Sequence, residues 1–412
     1  MTTASDRIKR IFRAFVAWLR QRDYTPLLLC WATAVFYCFF CFYIGRSATG
    51  SSGYFTYTLQ ALAWRRGALS LGHDYPWLEL AVFEGDWYVS FPPVPSIPLF
   101  FLTFLYGDMT PDNLLVKLYV LTGCLAVYHM LKKAGYDRLS AVGFSLLCSF
   151  ASCLLSLTTE GAVWFQAQTL AFALTCAAVC LMFVGKPTFA LLCFALSVGC
   201  RPFNVLYGLP LLALYYQQCK NKQMQFKQAA LGMLPGVLLG LAVAASYGWY
   251  NWIRFGNPLE FGHNYLPEFS WQGGTQFSLA HVANNVKTFL LGFPFYQDLD
   301  GWKLNQFGFS FLIANPVFVL LLCWMAADLF RRQFSMPKLV IVLCFFLHLF
   351  LLLLHRTFGG YQFGARYTCD LLPYAALYLA LPGHKRHLRM AEGFVLIFAC
   401  VFAVYGAAII LL

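Results

Sequence analysis

The feature that most constrains this chain is a series of apolar runs, recurring from one end to the other, each roughly 17 to 25 residues long, the length that crosses a bilayer as a helix. Of the 412 residues, 60% are hydrophobic and only 11% charged, and no soluble core can absorb that much apolar helix. The expected fold is therefore all-α and integral to a membrane, a single transmembrane domain over residues 1–412. The formal charge of +12 does not point to nucleic acid, because Lys and Arg fall in short clusters between apolar runs rather than along one face.

Those clusters read as topology signals. About eleven spans are expected, near residues 25–45, 114–131, 140–157, 164–184, 187–200, 203–216, 229–250, 306–330, 338–355, 367–382 and 391–412. With the N-terminus inside, the basic turns KKAGYDR (132–138), KNKQMQFK (220–227), RRQFSMPK (331–338) and HKRHLR (384–389) all fall on the cytoplasmic side, as the positive-inside rule requires. Residues 6–22 put Ile8, Ile11, Phe12, Phe15, Val16 and Leu19 on one helical face with the arginines mostly elsewhere, so a cytoplasmic interfacial helix is expected there. The fifteen cysteines lie mostly inside apolar runs and read as small helix residues rather than as disulfide, zinc or redox partners.

Two long extracytoplasmic segments remain, 46–112 and 251–305, both expected to carry interfacial helices. Within the first, IPLFFLTFLYG (97–107) is too short for a full crossing and reads as a partial helix. Loops of this length without disulfides are more often functional than connecting. Asp74, Glu79, Glu84 and Asp86 stand close to aromatic side chains such as Trp87 and Tyr88. A carboxylate in such surroundings can take a proton from a hydroxyl, although four acids in a loop can equally be solvating it. His263 and Glu260, in NPLEFGH (257–263), could hold an acceptor or a cation.

Four stretches carry a resemblance: FEGDWYVSFPPVPSIPL (83–99), CRPFN (200–204), WYNWIRFGNPLEFGHNY (249–265) and GGYQFGARYTCDLLPY (359–374). In kind and order they resemble segments of bacterial polytopic membrane glycosyltransferases of the GT-C superfold, which includes the protein O-mannosyltransferases and the lipid A aminoarabinose transferases. The likeness covers most of the chain in layout and these four stretches in motif. It implies inverting sugar transfer from a polyprenyl-phosphate donor at the outer membrane face, with an extracytoplasmic carboxylate as general base. It implies no cofactor besides that donor, and leaves a divalent metal open.

The chain departs from the superfold after its first span, where members commonly carry an acid and this sequence has ATGSSGYFTY (48–57), with Ser51 and Ser52. The resemblance then assigns the base to Glu79, with Asp86 and Asp74 in reserve. For the donor phosphate it favours Arg366, with Tyr367 beside it, and then Arg201 and Arg254, because a guanidinium grips phosphate bidentately. Asp370, four residues after Arg366, is expected to orient that guanidinium. Trp87, Tyr88, Glu260 and His263 are the candidates for acceptor or sugar.

The partners expected are a lipid-linked sugar donor, an acceptor that is a glycan, lipid or protein, and membrane lipids. The location expected is a bacterial plasma membrane, multi-pass, with the site on the extracytoplasmic face. Two other readings compete. A lipid-linked sugar transporter or flippase would show inverted repeats and ionisable residues at mid-membrane, and this chain shows neither pattern. A binding-only relative that has lost catalysis is motivated by Ser51 and Ser52.

Overall fold

A computed structural model describes residues 23–267, 275–357 and 359–410. The interfacial helix expected over 6–22 lies outside the described residues. In chain order the numbered helices are α1 (Thr25–Tyr43), α2 (Thr56–Arg65), α3 (Ser96–Tyr106), α4 (Asp112–Lys133), α5 (Arg138–Leu147), α6 (Leu154–Leu157), α7 (Val163–Phe183), α8 (Pro187–Val198), α9 (Gly208–Asn221), α10 (Phe226–Phe255), α11 (Phe311–Ala314), α12 (Val317–Phe330), α13 (Met336–Leu353), α14 (Leu372–Ala380) and α15 (Met390–Ile409), and between α10 and α11 a short helical turn, Val282–Asn285, runs into a π-helical one, Val286–Leu290. Six of them, α1, α4, α7, α10, α13 and α15, are long and apolar enough to cross a membrane.

The all-α expectation needs one correction, because segments 46–112 and 251–305 each contain an antiparallel hairpin. The first pairs β1 (Leu80–Phe83) with β2 (Asp86–Val89), and the second pairs β3 (Phe295–Asp298) with β4 (Gly301–Leu304). The favoured two-residue hairpin loops take positive φ at their central residues. Glu84 and Gly85 supply it in the first, at φ 52° and 85°.

The long helices start and stop where local chemistry dictates. The Asp137 carboxylate accepts from Ser140 N–H at 3.0 Å and caps α5. Lys132 and Lys133 close α4, where the helix dipole favours cations. α10 runs 30 residues, about 45 Å at 1.5 Å per residue, and ends at Gly256 in the left-handed region, φ 66°. Its Gly236 lies against α8 so closely that a Cβ there would come within 2.9 Å of Thr188 Cα. Gly240, four residues on, faces α8 at Leu191 and Ala195, and such small residues allow that approach.

Where the sequence suggested single spans, several are interrupted. Residues 140–157 split into α5 and α6, residues 306–330 hold α11 and α12 separated at Asn315 and Pro316, and 3-10 turns precede α9 (Pro202–Tyr207) and α14 (Arg366–Leu371). Proline removes a backbone donor, so each freed group must find another partner. Three of the breaks meet: Cys153 N–H donates to Asn315 Oδ1 at 2.9 Å, and Asn315 Nδ2 donates to Thr368 Oγ1 at 3.1 Å. Irregular backbone at membrane depth is tolerated where it is buried in protein or lines a cavity. At the opposite end of the bundle Asp328 is buried with Lys338, whose Nζ is 2.5 Å from Oδ2, and accepts from Tyr378 O–H at 2.7 Å.

Candidate functional site

The interrupted ends of α8, α13 and α14 surround a cavity of about 340 Å³. α7 contributes Trp164 and Gln168, the turn before α9 contributes Arg201, Pro202 and Phe203, and the turn before α14 contributes Arg366 and Tyr367. The strap after β2 adds Ser90, Phe91 and Pro92. The segment after α10 adds Glu260, His263 and Asn264, and His355 enters just beyond α13.

Two guanidiniums face this space in different electrostatic states. Arg201 Nε stands 2.9 Å from Asp370 Oδ2, and that carboxylate is almost wholly buried. Tyr207 O–H donates to the Asp370 carbonyl at 2.7 Å, which fixes the turn carrying the acid. Arg366 is 6% exposed and makes no ion pair among the described residues, and its Nε has no hydrogen-bond partner. Its guanidinium carbon lies 5.3 Å from the Tyr367 ring centroid, 5.7 Å from that of Phe165 and 5.9 Å from that of Trp164. Its backbone is held independently: Arg366 N–H donates to Gln362 Oε1, and Gln168 Nε2 donates to the Arg366 carbonyl, both at 2.9 Å.

The expectation that Asp370 orients Arg366 is thereby corrected to Arg201. The i, i+4 argument assumes an α-helix, and residues 366–371 form a 3-10 turn, in which positions four apart point about 120° away from each other. Arg254 also departs from its expected place. It does not line the cavity: Nη1 donates to the Val89 carbonyl at 3.1 Å and Nη2 to Asn251 Oδ1 at 2.9 Å, so it ties the first hairpin to α10.

Of the candidate acids in residues 46–112, Glu79 comes nearest the cavity. Its Oε2 accepts from Trp164 Nε1 at 2.8 Å, so it sits behind a side chain that forms the wall. Asp86 begins β2 at the hairpin turn and Asp74 is exposed in the preceding loop; neither lines the cavity. Trp87 is half-buried against a core shared by the hairpin with α2, α3 and α7, and Tyr88 packs edge-on against Phe255 at 5.3 Å. Glu260 does line the cavity, its oxygens accepting from Gly262 N–H at 2.6 Å and Asn264 Nδ2 at 2.7 Å.

His263 and His355 stand on one side with ring centroids 6.2 Å apart. Burial, reinforced by the positive charge of Arg201, pushes His263 down to about 4. Burial also pushes His355 down to about 4, against a raising contribution from its hydrogen bond to Thr357, with His263 and Arg201 lowering it further. Both imidazoles are neutral at pH 7. Among the described residues no group of three or more His, Cys, Asp or Glu side chains could hold a metal ion.

Sequence reasoning missed Trp164, Gln168 and His355, which lie near the ends of apolar runs and carry no local signal of a cavity. It also missed Asp112. Ser52 donates to this fully buried carboxylate through N–H at 2.7 Å and Oγ at 3.1 Å. A carboxylate therefore does meet the segment after the first span, supplied from 60 residues downstream, and it lies outside the cavity lining.

No protein-family model matches the chain, and comparison with curated proteins yields no match. Among solved structures it is similar to an Archaeoglobus fulgidus oligosaccharyltransferase in its apo form, with a TM-score of 0.48 and 11% identity, covering 88% of this chain and 52% of that one. It is also similar to the archaeal oligosaccharyltransferase AglB from Archaeoglobus fulgidus in complex with an inhibitory peptide and a dolichol-phosphate, with a TM-score of 0.43 and 12% identity, again over 88% and 52%. The chain spans about half the length of either.

Proposed function

We propose that this protein is a GT-C-like membrane glycosyltransferase that moves a sugar from a polyprenyl-phosphate donor to an acceptor hydroxyl at the extracytoplasmic face of a bacterial plasma membrane. One observation carries the reading: Arg366 is a buried guanidinium that lines the cavity and makes no ion pair among the described residues, the Asp370 carboxylate being hydrogen-bonded to Arg201 and acting on Arg366 only at longer range. An uncompensated buried charge is costly in the free protein and is relieved by an anion of opposite sign. A phosphate takes guanidinium bonds bidentately, and Arg201 stands in the same cavity as a second donor. Trp164, Phe91 and Tyr367 add aromatic surface for the apolar face of a sugar ring.

In the proposed reaction the acceptor oxygen forms a bond to the anomeric carbon as the bond from that carbon to the phosphate oxygen breaks. The acceptor proton passes to a carboxylate, and the electron pair leaves on the lipid phosphate. Glu260 is favoured as the base because it faces the cavity directly. Glu79 is the second reading, supported by its hydrogen bond to Trp164, which places it one side chain behind the wall.

The test is transfer from a polyprenyl-phosphate sugar by purified variants, with donor binding measured in parallel. Removing the base should reduce turnover by about 100-fold or more and leave donor binding nearly intact. Glu260→Gln is expected to do so, and a dead Glu79→Gln beside an active Glu260→Gln would move the role to Glu79. Donor binding without transfer by the wild type from any polyprenyl-phosphate sugar would replace the enzyme with a binding protein. Absence of any phospholipid-sugar binding would overturn the reading altogether.

A further inference from the structure

The hairpin β3–β4 presents large apolar side chains outward. Leu299 at its tip is 101% exposed and Trp302 is 69% exposed. Successive side chains alternate across a ribbon. With Phe295 opposite Leu304 and Gln297 opposite Trp302, the side chains of Phe295, Gln297, Trp302 and Leu304 share one, mostly apolar, face, and those of Tyr296, Asp298 and Lys303 the other. On the polar face Lys303 Nζ donates to Asp298 Oδ2 at 2.7 Å and to Asp300 Oδ2 at 3.0 Å. On the apolar face Phe295 packs against Phe402 and Tyr405 of α15, with ring centroids 6.4 and 6.2 Å apart.

α15 is one of the helices long and apolar enough to span a membrane, and its Phe394, Ile397, Phe398 and Val401 are all exposed. The apolar face of the hairpin thus continues the outward surface of a spanning helix at its C-terminal end. Aromatic side chains with one apolar and one polar side concentrate at that level of a bilayer. An apolar cluster of this kind left in water would be a liability for a soluble surface.

We propose that β3–β4 is a membrane-inserting hairpin that seats Leu299 and Trp302 at the boundary between headgroups and acyl chains, with the Asp298, Asp300 and Lys303 network turned to headgroups and water. The proposal rests on α15 being a membrane span and is independent of the glycosyltransferase reading. It bears on the cavity all the same, because Gln362 N–H donates to the Gln306 carbonyl at 2.7 Å and Gln362 Oε1 accepts from Arg366 N–H at 2.9 Å. The anchor and the Arg366 turn are joined through one glutamine.

The experiment uses the full chain in nanodiscs of phosphatidylcholine and phosphatidylglycerol, with acyl chains either unmodified or brominated near the headgroup. Subtracting the fluorescence of Trp302→Phe from that of the wild type isolates Trp302. Most of that difference should disappear in brominated discs and resist soluble iodide. Leu299→Trp introduced into Trp302→Phe should restore a bromine-sensitive signal. A difference quenched by iodide and untouched by bromolipid would place the hairpin in water. One quenched by neither would mean that protein, a partner or a second copy, covers it, and either result overturns the proposal.

Discussion

Replacing Arg366 by Met should weaken anion binding while leaving the free protein as stable as before or more so. Arg366 is 6% exposed, makes no ion pair among the described residues, and its guanidinium lies among the rings of Tyr367, Phe165 and Trp164, with Asp370 attracting it only at longer range. Met keeps most of the apolar stem and removes the charge. The backbone bonds to Gln362 and Gln168 do not involve the side chain and survive the change. Exchanging a poorly compensated buried charge for an apolar group is expected to be neutral or stabilising by on the order of 1 kcal/mol. The lost interaction with phosphate is larger, about 1.5–3 kcal/mol for each charge-assisted hydrogen bond. At 1.4 kcal/mol per decade, one such bond is worth roughly 10- to 150-fold in affinity and a bidentate pair more. Arg366→Lys keeps the charge, loses the fork and should fall between. The assay is thermal unfolding of the detergent-solubilised protein titrated with a short-chain prenyl phosphate, since a ligand that binds only the folded state raises the midpoint with concentration. Wild type should show that rise, and Arg366→Met should start at the same midpoint or higher and stay flat over the same range. A variant that keeps the full ligand response would refute the anion role. A large fall in its ligand-free midpoint would mean that the ring contacts, not an anion, are why the guanidinium is there.

Asp370→Ala leaves the Arg201 guanidinium without its 2.9 Å partner and should cost about 3–5 kcal/mol, the scale for removing one member of a buried pair; Asp370→Asn, which keeps the shape, should cost less, and unfolding midpoints check both. Because burial depresses His263 and His355 to about 4, from an unfolded value near 6.5, the unfolded chain takes up their protons first as pH falls. Their contribution is complete above about pH 6.5 and is lost between there and about 4, so the midpoint should drop over that window, and a His263→Gln, His355→Gln double variant should flatten the drop. Gly236→Val must push α10 off α8, since a Cβ already meets Thr188 Cα at 2.9 Å, and should destabilise by about 1–3 kcal/mol in the same measurement.

Hydropathy and charge clusters made the long helices legible, because a residue's helical period and its transfer energy are local properties. What the sequence hid was pairing across distance. Arg201, Asp370 and Arg366 could all be named, yet the partner of Asp370 depended on the pitch of one turn, and six residues that look like the start of a span wind as a 3-10 helix. Arg254 looked like a boundary cation free to reach a phosphate, and only the packed hairpin reveals Val89 and Asn251 as its acceptors. The search for an acid after the first span was made within 48–57, whereas the carboxylate that reaches Ser52 comes from Asp112. Trp164 and His355 stayed hidden because an aromatic or imidazole at the end of an apolar run carries the same local signature whether it faces lipid or a cavity.

The unequal state of the two cavity arginines has a chemical consequence for the proposed donor. Arg201 is held by Asp370 at 2.9 Å, and Arg366 is the cavity guanidinium that makes no ion pair among the described residues, with Glu260 held by hydrogen bonds from its own loop. A sugar joined to a lipid through a single phosphate is a phosphodiester with one negative charge, and Arg366 alone neutralises it. A donor linked through a diphosphate would bring a second charge for which the resting cavity offers only an already paired cation. When the bond to the sugar breaks, the phosphate becomes a monoester and gains most of a further charge. Arg201 then meets it by dividing its hydrogen bonds between Asp370 and the leaving oxygen, an interaction that is stronger in the transition state than in the bound donor. Only such differential contacts raise turnover. On this argument Arg366 acts chiefly in binding and Arg201 chiefly in the chemical step, with Asp370 the residue that keeps Arg201 affordable in the empty cavity.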